Sequence, residues 1–138
     1  MRTATTVIQM LIRLAGLIMI VLGLLFWTGN ALALIPVHML LGLVLVILLW
    51  VQAGLAARAR VGVGMVALAF VWGIVVVALG MTQSRLLPGD FHWVIKVLHL
   101  LVGIAALGLA DRLAAAIKRE RFVAAEANEM TPGSISTR

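Results

Sequence analysis

The chain has 138 residues, 64% of them hydrophobic and 12% charged, far from the half-apolar, quarter-charged balance of soluble domains. It carries a net charge of +6 and no cysteine, which excludes disulfides, thiolate metal sites, iron–sulfur clusters and cysteine nucleophiles. Its basic residues flank apolar blocks, so they read as topology signals and contacts for anionic lipid, and nucleic acid is not expected as a partner.

Four apolar blocks, roughly residues 7–27, 37–57, 61–81 and 91–110, are each about twenty residues long. That length takes an α-helix across ~30 Å of hydrocarbon. The sequence therefore predicts an all-α, integral membrane four-helix bundle over residues 1–117, followed by a basic segment and tail over 118–138.

The first block contains Gln9 and Arg13, so its inner end belongs in the headgroup region. Arg2 and Arg13 before an apolar run, then Ala31-Leu32-Ala33, imitate a signal peptide with its cleavage site. The run is long for a signal peptide, and a retained first span is expected. Trp27 suits the interface, Gly29-Asn30 marks a turn, and Pro36 opens the second span in a position helices tolerate. Trp50 and Gln52 are expected at that span's inner boundary.

A turn over residues 56–64 leads into the third span, and a loop over 82–90 leads to the fourth, with Asp90 placed to cap it. Past Ala110 the sequence is rich in helix formers through residue 127 and predicts continued helix, ending in a frayed tail. Asp111 and Arg112 are expected to form an ion pair at the inner surface. Arg58, Arg60, Arg112, Lys118, Arg119, Arg121 and Arg138 fall at one end of the predicted bundle with Arg2 and Arg13, against Arg85 at the other. The positive-inside rule then puts both termini in the cytoplasm, as in a bacterial inner-membrane protein.

An internal repeat underlies this order. Gly16 and Gly23 recur as Gly73 and Gly80, 57 residues on, and His38-x-x-x-Gly42 recurs as His99-x-x-x-Gly103, 61 residues on. Two hairpins inserted in the same orientation are related by an axis along the membrane normal, which would turn His38 and His99 toward each other.

Residues at i, i+4 and i+7 share a helix face. In span four that face carries His92, Lys96, His99 and Gly103, and in span two it carries His38 and Gly42. Ionisable groups within a span are costly and mark function. Imidazoles on facing helices can take both axial positions of a haem iron, each with a glycine one turn deeper to leave room for the macrocycle. Lys96 or His92, nearer the outer surface, could meet a propionate.

With its four spans and paired His-Met-Leu-Leu-Gly and His-Leu-Leu-Val-Gly, the chain resembles small four-helix membrane b-type cytochromes. That resemblance implies one b haem per chain, ligated by His38 and His99, and electron transfer. Its partners would be a quinone or redox protein, in a homodimer or larger membrane complex.

Two other readings remain open: a cofactor-free structural or assembly subunit, with the histidines as helix–helix hydrogen bonds, and a small transporter. His38 lies 20 residues before Arg58 but His99 only 13 before Arg112, a depth mismatch of about 10 Å. It disappears if the inner boundary of span two is Trp50–Gln52, with residues 53–60 continuing as helix into water. A three-histidine metal site is disfavoured, since His92 and His99 are two turns, about 10 Å, apart. No Ser-His-Asp arrangement or phosphate loop suggests a hydrolytic or transferase enzyme.

Overall fold

The computed structural model describes residues 2–130; the expected frayed tail over 131–138, with Arg138, lies outside them. The described residues form four α-helices, α1 (Arg2–Trp27), α2 (Ile35–Arg58), α3 (Val63–Thr82) and α4 (His92–Met130), with single 3-10 turns at Leu32–Leu34 and Gln83–Arg85. Each is long and apolar enough to cross a membrane, and most of the large apolar side chains on their outer faces are exposed. With no interior large enough to hide them, those faces require a lipid solvent. The protein is a membrane protein with transmembrane helices.

Local chemistry sets the helix ends. Thr28 donates from Oγ1 to the Leu25 carbonyl (2.9 Å), and Asn30 Nδ2 donates to Thr28 Oγ1 (2.9 Å), closing the end of α1. Pro36 occupies the first turn of α2, where its missing N–H costs nothing. At the other end of α2 the chain leaves through a Schellman turn. Arg60 N donates to the Ala57 carbonyl and Val61 N to the Ala56 carbonyl, both at 3.0 Å. Arg60 holds φ +63° there, in the left-handed position that glycine usually fills, at a cost of about 1–2 kcal/mol for a side-chain-bearing residue.

α4 starts at His92, so Asp90 sits one residue outside the capping position expected for it. The turn is closed instead by His92 N donating to the Gly89 carbonyl (3.0 Å). At 39 residues, α4 is about 58 Å long, far beyond a bilayer's hydrocarbon.

The packing is rhombic. Helices adjacent in sequence touch, α1 touches α4, and α2 touches α4 through the middle, while among the described residues α1 and α3 do not meet. α2 and α4 therefore run side by side in the same direction on the short diagonal, with α1 and α3 antiparallel on their flanks, an up-down-up-down bundle. Residue pairs fix the register: His38 with His99 and Gln52 with Ala110 between α2 and α4, and Arg13 with Asp111 between α1 and α4.

The core is uneven along the bundle. Its cluster of buried residues comprises Ile12, Leu49, Ala53, Ala56, Val61, Ala69, Leu109, Ala110, Leu113 and Ile117. All lie toward the end that carries the α2–α3 turn and the basic residues, here the basic end. Toward the opposite, loop end buried side chains are sparser among the described residues: Leu22, Ile95 and, one turn past His99, Val102.

Candidate functional site

The histidine level lies in the loosely packed half. His38 occupies the second turn of α2 and His99 the third turn of α4, the two helices on the short diagonal. Their ring centroids are 6.3 Å apart with planes inclined at 48°. The 10 Å depth mismatch suggested by counting back from the arginines is therefore absent. α2 simply continues as helix to Arg58, past Gln52.

Phe26 of α1 packs edge-on against His38, with centroids 5.3 Å apart. The Nδ1 atoms of both His38 and His99 are buried and have no hydrogen-bond partner. Among apolar helices an unsatisfied polar nitrogen costs on the order of 1–3 kcal/mol, so two such atoms facing one level of the bundle are an observation that needs a partner.

Glycines face both rings. A Cβ built on Gly23 of α1 would lie 3.9 Å from His38 Cε1, and one on Gly80 of α3 would lie 3.4 Å from His99 Cε1. Gly42 instead lies against Met19 of α1, whose Cε would be 3.1 Å from an added Cβ, and a Cβ on Gly103 would meet nothing within 4 Å. In the sequence Gly23 and Gly80 stand out only as a repeated pair. Their spacing of 57 singles them out, but only the helix arrangement shows which glycines the imidazoles meet.

The remaining polar residues sort by level. His92, at the start of α4, has its Nδ1 3.1 Å from the Leu86 carbonyl oxygen and so closes the 83–91 connection. Lys96 lies between His92 and His99 on the same face and has no ion pair among the described residues. Among the described residues no three of His, Asp and Glu come together as a metal-binding group.

Toward the basic end the structure revises two expectations. Gln52 turns into the bundle instead of outward: it is fully buried, its Nε2 donates to the Ala110 carbonyl, and its Oε1 has no partner. Asp111 pairs across the α1–α4 seam with Arg13, whose Nε lies 3.0 Å from Oδ1, and not with Arg112. Adjacent residues on a helix point in different directions, so Arg112 cannot turn to it. Gln9 Nε2 donates to the same Asp111 oxygen (2.8 Å), and Lys118 Nζ donates to Gln9 Oε1 (3.2 Å).

Across the opposite seam, between α2 and α3, Trp50 stacks on Phe70 with centroids 6.0 Å apart and donates from Nε1 to the Phe70 carbonyl (3.3 Å). Glycines sit in each seam: Gly16 against Leu107, and Gly73 against Trp50 and Val46.

Together these observations define a four-helix membrane protein with a half-buried histidine pair. No family model, no curated protein and no solved structure matches the chain.

Proposed function

We propose that the chain is a membrane electron carrier holding one b-type haem between α2 and α4, with His38 and His99 as its axial ligands. The observation that carries this is the spacing of the two rings. The ring centroids are 6.3 Å apart with planes inclined at 48°, close enough that both imidazoles would hold one iron between them.

The unpartnered nitrogens and the loosely packed histidine level support the same reading. So do Gly23 and Gly80, each of which leaves space beside a ring. When bound, such a group supplies one-electron redox chemistry, with a potential set by its axial ligands and the polarity around it.

The chain's own residues then divide the work. His38 and His99 ligate and fix orientation, and the apolar side chains of four helices keep water away. Lys96, one turn toward the loop end from His99, offers an ammonium to a propionate. His92, whose Nδ1 contacts the Leu86 carbonyl, stands at the mouth of the same site, and Gly42 and Gly103 thin the helix surfaces one turn deeper. A quinone or redox protein would exchange electrons with it, and a homodimer or larger complex would house it.

The seams support a duplicated hairpin. Moving α1 to α3 by 57 residues and α2 to α4 by 61 turns Gly23–His38 into Gly80–His99. The reverse shift of 61 on α4 turns Gly16–Leu107 into Gly73–Val46, and Arg13–Asp111 into Phe70–Trp50. Three pairs of contacts exchanging under one operation favour two repeated hairpins related by an axis along the membrane normal. The concentration of Arg and Lys at the basic end favours N-in/C-in insertion, termini cytoplasmic, in a bacterial inner membrane.

A cofactor-free structural or assembly subunit is the second reading. Phe26 favours it, because its edge contact already packs one side of His38.

Substitution separates the two readings. His38→Ala and His99→Ala should each abolish a low-spin haem spectrum in protein expressed with ample haem, while His92→Ala spares it. Loss with His92→Ala and retention with His99→Ala would assign the wrong ligand. Identical stability and no spectrum in any variant would favour the structural subunit.

A further inference from the structure

At the basic end the α2–α3 turn and the projecting part of α4 enclose a groove of about 430 Å³. Its floor is apolar: Val61 and Met65 on one side, Ala115 and Ala116 on the other. Arg112 and Arg119 stand at its walls, with Glu120. A second groove of about 290 Å³ continues around Glu120 and brings in Arg58, Arg60 and Arg121. Five guanidinium groups thus surround one turn and share a single carboxylate. None of the five forms an ion pair with any described residue.

Arg112 lies two residues past the last apolar block and Arg58 closes α2, positions that hydropathy assigns to the headgroup level. Arg60 keeps its left-handed backbone here, although glycine would relieve it.

We propose that these grooves form a binding site for an anionic phospholipid, its phosphodiester held by Arg112 and Arg119 and its glycerol and upper acyl chain against Val61, Met65 and Ala116. Guanidinium groups suit a phosphate because their paired donors match two of its oxygens. The apolar floor decides between a lipid and a free anion. Inorganic phosphate would use the arginines and gain nothing from the valine, methionine and alanines, whereas an amphiphile uses both. The site depends on the membrane-spanning fold and not on haem.

The test is native mass spectrometry of the full-length protein released from mixed micelles containing equal phosphatidylglycerol and phosphatidylcholine, paired with thermal unfolding in detergent. Phosphatidylglycerol should be retained in preference to phosphatidylcholine and should raise the unfolding temperature, while inorganic phosphate at the same concentration should not. Arg112→Gln and Arg119→Gln should each weaken phosphatidylglycerol retention about fivefold, as expected for loss of one basic contact at a charged surface. Arg85→Gln, at the loop end, should leave it unchanged.

Should a glutamine variant fail to fold, Arg112→Lys and Arg119→Lys keep the charge and should lose only part of the preference. Equal retention of the two lipids by wild type, protection by phosphate alone, or a loss with Arg85→Gln equal to that with Arg112→Gln would each overturn the proposal.

Discussion

The two seam glycines make a matched experiment, because the same added methyl meets different neighbours. A Cβ on Gly73 would overlap Trp50 Nε1 and lie 2.9 Å from Trp50 Cε2 and 3.0 Å from Val46 Cγ1. Trp50 cannot swing away cheaply, since its ring stacks on Phe70 and its Nε1 bonds to the Phe70 carbonyl. Overpacking of this kind costs about 1–3 kcal/mol, and losing an interhelical hydrogen bond in a membrane adds about 0.6 kcal/mol. The gain in helix propensity from glycine to alanine returns at most about 1 kcal/mol. Gly73→Ala should therefore destabilise by about 1–2 kcal/mol.

At Gly16 the clash is with the tip of one leucine, Leu107, whose Cδ atoms would lie 2.5 and 2.7 Å from the new methyl. A leucine tip turns to another rotamer, so Gly16→Ala should fall within about 1 kcal/mol of wild type. Reversible unfolding by SDS in mixed micelles, followed by tryptophan fluorescence, measures both. Trp50→Leu should remove most of the Gly73→Ala penalty when the two are combined. A neutral Gly73→Ala, or a Gly16→Ala that costs more, would refute the packing described for these seams.

Three further predictions follow from the buried and seam residues. Gln52→Leu gives up a hydrogen bond worth about 0.6 kcal/mol but also removes an unpartnered buried oxygen costing about 1–3 kcal/mol. It should be neutral or stabilising in SDS unfolding, whereas Gln52→Ala should lose about 2 kcal/mol or more to a cavity; the reverse ranking would contradict the burial of this amide. Arg13→Gln should cost less than about 1 kcal/mol, because the side chains of the Arg13–Asp111 pair are 62% and 43% exposed; a loss above 2 kcal/mol, checked at low and high salt, would show the pair to be shielded. Gly80→Leu, whose first carbon would lie 3.4 Å from His99 Cε1, should cut haem occupancy at least about tenfold by overpacking. Gly103→Leu, whose Cβ meets nothing within 4 Å, would fill the open space one turn deeper and should also lower haem occupancy; full retention there would remove Gly103 from the site.

Four apolar runs are legible in the sequence because twenty-residue blocks leave few other structures in lipid, and each run falls on a helix of the bundle. The level of His38 against His99 was less legible. Counting from Arg58 misplaces it, because α2 runs on as helix from Gln52 to Arg58, as the alternative boundary at Trp50–Gln52 required. Gln52 itself misleads for a related reason: a polar side chain near a span end suits an interface equally well, and only the contact of α2 with α4 reveals the Ala110 carbonyl that receives its N–H. The partner of Asp111 depends likewise on α1 lying against α4, a tertiary fact that hydropathy does not contain. Gly23 and Gly80 show what repeat spacing can and cannot do. It marks the glycines as equivalent, while the rhombic packing determines that they meet histidine.

The most direct measurement is the absorption spectrum of the purified wild-type protein, expressed with ample haem and recorded oxidised and then dithionite-reduced. A Soret band with sharp reduced α and β bands, at no more than one haem per chain by pyridine haemochrome, is the result expected of His38 and His99 as axial ligands. A folded, helical protein with no Soret absorption would contradict it and leave the two imidazoles as a packed, cofactor-free pair.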